Sequence, residues 1–316
     1  SVADHNGAGI RYDGTGVVTI RNSFFHHNEN GILFTPAAGV SGATHVTDLS
    51  IFDTEFGYNG YGDGYTHNMY ISGSTRTFTL QGSYTHHANI GHTVKSRAWN
   101  NFILYNLIAD ETDGNSSYNI DLPQGGNAYI IGNIIQQGVN SPNYGMVTFS
   151  VEGTHNPSQN VYIAYNTFYN QIAANGIGIN LRDNGLNDAV IVDNFFVGFA
   201  NETDRIVTYS TAGSTKRAFL QNNVYVKDPS LAGFQDIAHY NYYLKANSPA
   251  IGKGSQPGVY QDFSLMPVYQ YANPQSTEAR PSSQNPAVGA IEYDGRMVSV
   301  PTIDLVPSET NVDYLH

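Results

Sequence analysis

Only 14 of the 316 residues are Lys or Arg, yet two of them stand two positions apart in Gly91-His-Thr-Val-Lys-Ser-Arg-Ala98. On a β-strand such a pair leaves the same face about 7 Å apart. Two cations on one face suit the breakage of a uronic-acid polymer by β-elimination. That reaction needs a cation against the carboxylate, a base for the C5 proton and a proton source for the leaving oxygen. Lys95 can be the base in its neutral form, which Arg97 favours by like-charge repulsion and Asp121 opposes. Arg97 can grip a carboxylate with two donors. Tyr70, His67 or His92 can supply the proton. Asn68, Asn119, Asp121, Glu152 and Arg182 are the expected sugar contacts. The plain alternative is that Lys95 and Arg97 only pair with Asp121 and Glu152 on a solvated face.

Other groups carry weaker signals. His67, in Tyr65-Thr-His-Asn-Met-Tyr70, and His92 are candidates for acid, base or metal ligand, although a corner histidine can simply bond to backbone. His26-His27 and His86-His87 read as turn residues at the ends of strands. Asp110, Glu111 and Asp113 form an acidic loop that offers oxygens to calcium, or is merely solvated. No metal ligands are assigned.

The elements that must position these residues form a repeat. Short apolar runs surround Asn22, Asp53, Gly82, Asn106, Asn133, Asn166, Asn194 and Asn223, at spacings of 24 to 33 residues. A second run follows at a similar offset, as in Asn68-Met-Tyr-Ile71, Thr93-Val-Lys-Ser96, Tyr118-Asn-Ile-Asp-Leu122 and Met146-Val-Thr-Phe149. Alternating strands of three to six residues without helical periodicity between them exclude βαβ units. Propeller blades would need about 40 or more residues per repeat, and leucine-rich repeats would show Leu at fixed spacing. The expectation is an all-β, single-stranded, right-handed parallel β-helix of eight coils, about 38 Å long at 4.8 Å per coil. Asn residues at matched corners can then form a ladder. Met69, Val94, Ile120, Phe149 and Ile179 are expected to point inward, which places Tyr70, Lys95, Asp121, Ser150 and Asn180 in one outward row. Ser72, Arg97, Pro123, the neighbourhood of Glu152, and Arg182 make the next row. His67 and His92 fall one coil apart at the preceding corner.

The coils are expected to occupy residues 1–227. Residues 228–316, rich in Pro, Tyr and Ser, read as a last irregular coil, a cap over the open end of the core, and a tail. Residues 1–17 read as part of a coil with no cap of its own, which leaves room for earlier coils.

Charged residues make up 13% of the chain, about half the usual share of roughly 25%. The 33 Asn, 32 Gly and 23 Tyr give a surface that is polar without being ionic. Such side chains suit sugar hydroxyls and pyranose faces, and Asn and Gly also serve turns. A net charge of −12 argues against nucleic acid. It does not oppose an anionic polysaccharide, because screening lets a local basic pocket dominate at short range. No apolar run approaches a membrane span. The absence of cysteine leaves the compartment open, and a polysaccharide partner implies a secreted, periplasmic or cell-surface protein. An oligomer, such as a trimer of solenoids, is compatible with the sequence.

The chain resembles the right-handed β-helix polysaccharide lyases. The stretch from Gly91 to Gly132 carries Lys95-Ser96, Asn106, the Gly125-Gly126 turn and Gly132-Asn133. It is similar to the lysine coil of polysaccharide lyase family 6, the alginate lyases and chondroitinase B. The resemblance implies that Lys95 is the base. The family's partner arginine lies one coil on, where this chain has Asp121 and Leu122, so Arg97 would substitute. The family's acidic pair for calcium, one coil before the lysine, has no evident counterpart here. Related outcomes on such a scaffold are a uronan C5-epimerase, a glycoside hydrolase or phage-type depolymerase using paired carboxylates, and a non-catalytic glycan-binding solenoid.

Overall fold

The computed structural model describes residues 5–35, 47–172, 175–182, 185–200, 206–209 and 218–300. Three short strands recur in fixed order, and strands of the same rank stack in parallel into three eight-stranded sheets. Wall A runs from Ile10–Tyr12 through Met69–Ile71, Val94–Ser96, Ile120–Leu122 and Gly145–Phe149 to Val207–Tyr209. Wall B runs from Val17–Arg21 to Phe219–Gln221, and wall C from Phe24–His26 to Val224–Val226. The protein is a parallel β-helix.

Alternation along each strand builds the core. Ile32, Met69, Val94, Ile120, Val147 and Ile179 stack on the inner side of wall A and are sealed from solvent. Each such side chain contributes about 1.5–3 kcal/mol by leaving water. One expected neighbour differs. Val147, not Phe149, lies beside Ile120, and Thr148, not Ser150, lies beside Asp121. The strand starts at Gly145 and pairs two residues earlier than expected. A shift of two keeps every side chain on its face and changes only its neighbour.

The turn between walls B and C has two positions, which corrects the sequence alignment. Asn22, Asp53, Gly82, Tyr105, Gly132, Tyr165, Asp193 and Asn222 come first, all with φ between 47° and 67°. Gly, Asn and Asp tolerate this left-handed conformation. Tyr105 and Tyr165 do so while burying their rings under the C-terminal segment. The second position holds the ladder: Ser23, Thr54, Ser83, Asn106, Asn133, Asn166, Asn194 and Asn223. Each of the first seven donates its backbone N–H to the side-chain oxygen of the next, at 2.9–3.4 Å. Asn22, Asp53 and Gly82 therefore belong to the strained corner, and hydroxyl residues continue the ladder through the first three coils.

The last strand of wall C is Val224–Val226. Among the described residues, the segment after it leaves Phe219 and Leu220 in the last coil about half exposed. It runs along the flank. Phe234, Tyr242, Tyr271, Val288 and Ile291 pack on Tyr84, Leu107, Ile134 and Phe195, outside wall C. Tyr260, Phe263 and Leu265 pack on Leu104, Tyr129 and Tyr162, outside wall B. The coils carry outward apolar residues on these two walls, and packing against the segment takes them out of water. Among the described residues, neither these clusters nor the segment's hydrogen bonds reach the outward row of wall A. The expected tail, residues 301–316, lies outside the described residues. No helix among the described residues is long and apolar enough to cross a membrane.

Candidate functional site

Wall A is where the chemistry-bearing residues converge. Tyr70, Lys95, Asp121, Thr148, Asn180 and Thr208 stack in register as its outward row. The Lys95 Nζ stands 3.7 Å from Asp121 Oδ2 and 3.8 Å from Glu152 Oε1. Arg97 grips the Glu152 carboxylate through Nη2 at 2.7 and 2.9 Å and Nε at 3.2 Å. Its Nη1 donates to the Tyr70 hydroxyl at 2.6 Å. That bond occupies a lone pair of the phenol oxygen and leaves its proton free to point elsewhere. Glu152 follows the strand end at Phe149 and reaches back across two coils to the Lys95 level.

Asp121 is almost wholly buried. Burial pushes its carboxyl up, while the hydrogen bond from Thr148 Oγ1, at 2.5 Å, and the charge of Lys95 pull the other way. His92 Nε2 lies 3.5 Å from Asp121 Oδ2. The rings of His67 and His92 are nearly parallel, with centroids 4.7 Å apart, and Tyr118 continues the stack at 5.0 Å. Burial, together with Lys95 and Arg97, lowers both imidazoles, His92 to about 3. Both rings are uncharged at neutral pH.

The structure thus brings together Tyr70, Lys95, Arg97, Asp121, Glu152, His67 and His92. It removes two expected sugar contacts. Asn68 is sealed inside, donating to Thr85 Oγ1 at 3.1 Å and to the His86 carbonyl at 2.7 Å. Asn119 is also interior and donates to the Gln136 carbonyl at 3.0 Å. Both precede an inward core residue at the turn into wall A, where the side chain satisfies a backbone carbonyl of the wall C strand that follows. Arg182 follows the outward row two coils above Asp121, and among the described residues no ion pair joins it to the cluster. Thr148 and Tyr118 were not singled out by sequence. The 25- and 26-residue steps from His67 to His92 to Tyr118 were the signal for the latter.

A second polar cluster lies on wall C. His86 and His87 are buried and their Nδ1 atoms are 2.6 Å apart, so one donates to the other. His86 Nε2 is 3.3 Å from Glu55 Oε1, and His87 Nε2 is 3.0 Å from Asp113 Oδ1. Tyr84 donates to Glu111. Burial raises Glu55 to about 7 and lowers His86 to about 3. Asp110, expected beside Glu111 and Asp113 in a calcium loop, turns inward and takes the Gly138 N–H at 3.4 Å, with its carboxyl raised to about 6 by burial. His87 takes its place: ligand atoms of His87, Glu111 and Asp113 lie within 4.8 Å of one another. A mixed imidazole and carboxylate set differs from the all-oxygen cage that Ca²⁺ prefers. His86 ends a wall C strand and His87 occupies a left-handed corner at φ 47°, the strand-end placement expected of them. His26-His27 repeat the Nδ1 contact at 3.0 Å in a more exposed setting.

No protein-family model matches the sequence, and neither a curated protein nor a solved structure matches it. The resemblance to family 6 lyases therefore rests on the quoted residues alone.

Proposed function

We propose that wall A is the active site of a secreted or cell-surface polysaccharide lyase that cleaves a uronic-acid polymer. The observation that supports this reading is the seat of Glu152. Arg97 and Lys95 already hold one carboxylate between them, on the wall that residues 228–300 leave uncovered. A uronate carboxylate that takes the place of Glu152 meets two donors of Arg97, a geometry suited to carboxylates. Neutral Lys95 removes the C5 proton. The electron pair of that C–H bond forms the C4=C5 double bond as the C4–O bond breaks, and the departing oxygen takes the Tyr70 proton. An epimerase would share the first step and return a proton to the opposite face without breaking C4–O.

One observation favours a second reading, glycoside hydrolysis. Asp121, raised by burial, and Glu152 both lie within 3.8 Å of Lys95 Nζ. Their facing oxygens are therefore closer than the upper limit of about 9.5 Å for a hydrolytic pair. A non-catalytic solenoid would bind sugar without turnover.

The test is a screen of alginate, pectate, glycosaminoglycans and bacterial exopolysaccharides, read by ultraviolet absorbance of the unsaturated product. Lys95→Ala is expected to lower turnover by about 10²–10⁴-fold, the usual worth of a positioned base, while leaving the melting temperature within a few degrees. Wild-type activity within a few-fold would remove Lys95 from the mechanism. Reducing ends without unsaturation, retained in the variant, would identify a hydrolase.

A further inference from the structure

The polar cluster on wall C has the chemistry of a metal site, and wall A takes no part in it. His86 ends its strand in register with Ala109 of the next coil. The turns after these two strands therefore stack, and they bring His87 of one coil against Glu111 and Asp113 of the next. One ligand atom from each of the three lies within 4.8 Å of the other two, and His87 Nε2 is 3.0 Å from Asp113 Oδ1. Zn²⁺ holds imidazole nitrogen and carboxylate oxygen at about 2.0–2.2 Å, which sets two of its ligands roughly 3–4 Å apart. The His87 side chain is 6% exposed and that of Asp113 is 78% exposed, with Glu111 between these extremes. The set therefore opens to solvent on the Asp113 side.

The surroundings hold the three groups in place. The His87 ring stacks on Tyr58, with centroids 4.6 Å apart. Gln136 clamps the Glu111 backbone, accepting its N–H at 2.6 Å and donating to its carbonyl at 2.9 Å. The Tyr240 hydroxyl, from the C-terminal segment, accepts the Thr112 N–H at 3.0 Å. Charge at the cluster is one-sided. Glu55, Asp110, Glu111 and Asp113 all belong to it, and among the described residues no Lys or Arg forms an ion pair with any of them; each cation with an ion pair has it elsewhere. A bound cation would supply the missing positive charge.

The hydrogen bonds behind His87 point the same way. His87 Nδ1 meets His86 Nδ1 at 2.6 Å, and His86 Nε2 meets Glu55 Oε1 at 3.3 Å. With one proton on each ring, this chain has two complete arrangements. In one, His86 donates to His87, and His87 Nε2–H donates to Asp113. In the other, His87 Nδ1–H donates to His86, and His86 Nε2–H donates to Glu55. The second leaves a lone pair on His87 Nε2 facing the Asp113 carboxylate, two acceptors that only a cation between them reconciles. A metal-bound imidazole anchored through its other nitrogen, with a carboxylate at the end of the chain, is the outer support that metal histidines use.

We propose that His87, Glu111 and Asp113 bind a divalent transition-metal ion of the Zn²⁺ type, which joins two coils of wall C where the C-terminal segment docks. The ion takes the place of the proton between His87 Nε2 and Asp113, and water completes its coordination. An imidazole among the ligands selects against Ca²⁺ and Mg²⁺, which take oxygen. The site is independent of the lyase reading.

The experiment is calorimetric titration of the intact, chelator-treated protein with zinc chloride. One Zn²⁺ per chain is expected to bind, and the melting temperature is expected to rise by a few degrees at about 100-fold excess over Kd. Absence of heat and of a melting shift up to millimolar Zn²⁺ overturns the proposal, and so does Ca²⁺ binding as tight as that of Zn²⁺. Asp113→Asn changes an exposed side chain and is expected to weaken binding at least 10-fold with the fold intact. His87→Phe keeps the ring on Tyr58 and is expected to weaken it beyond the 10- to 100-fold that loss of an outer partner costs. His239→Ala, in the exposed His239–Asp236 pair, is expected to leave affinity unchanged. Binding that survives Asp113→Asn and His87→Phe, or that falls with His239→Ala, is adventitious and overturns the assignment.

Discussion

At the scale of single residues, Glu152 discriminates between the proposed chemistries. If it merely occupies the carboxylate seat on Arg97, Glu152→Gln weakens that competition, and KM for an acidic polymer is expected to fall several-fold with kcat retained. If it is a hydrolytic carboxylate, the same change abolishes turnover. Steady-state kinetics on one substrate separate the two. Glu55 gives a prediction about stability. Its carboxyl, raised to about 7 by burial, keeps a proton in the fold that the unfolded chain releases near 4.5. The stabilisation is therefore complete at low pH and is lost as pH rises from about 4.5 through about 7. Glu55→Gln has no proton to lose. Its stability relative to wild type is expected to rise across that interval by on the order of 2–3 kcal/mol. Urea denaturation at several pH values measures the difference, and a parallel pair of curves would contradict it.

The unit of the fold is the coil, and its corner decides how coils stack. Asn133 shows what the ladder is worth. Its side-chain oxygen accepts the backbone N–H and the amide of Asn106, and its own amide donates to the Ile103 carbonyl and to Asn166. Asn133→Ala leaves buried donors of Asn106 without an acceptor, for an expected loss of about 2–4 kcal/mol. Ser83→Ala removes one acceptor, that of the Thr54 N–H, and should cost less, about 1–2 kcal/mol. Chemical denaturation of both variants tests the order. The same corner explains a misalignment. In the first three coils Asn22, Asp53 and Gly82 occupy the left-handed position, one residue before the ladder. In later coils Asn occupies the ladder itself, and the left-handed position passes to Tyr105, Gly132 and Tyr165. The residue types that favour the two positions overlap, so type alone could not assign them.

Across the whole molecule, the described part of the C-terminal segment, residues 228–300, covers walls B and C. Removing residues 228–316 would expose the outward aromatic and aliphatic rows of walls B and C, Tyr84, Leu107, Tyr129, Ile134 and Tyr162 among them. Apolar patches of that extent drive association. The truncated chain is expected to elute from size exclusion as aggregate; a folded monomer of 1–227 would show that the segment is dispensable cover. Lys95, Arg97 and Tyr70 were legible because in-and-out alternation is a local property with a period of two, and a strand carries it wherever it is placed. The coil period and the all-β architecture followed from the same short-range pattern. Which residues touch across coils followed only in part: Tyr70, Lys95 and Asp121 stack as their spacing implied, and the next coil does not. The number of residues in the intervening turns sets that register, so Thr148 replaced Ser150 beside Asp121, and Asn68 and Asn119 turned into the interior. The docking of residues 228–300 along the flank, and the backbone N–H groups that meet Nδ1 of His67 and His92, come from contacts between segments distant in the chain. Tertiary structure alone decided these, because such contacts form only where complementary surfaces meet after the coils have stacked.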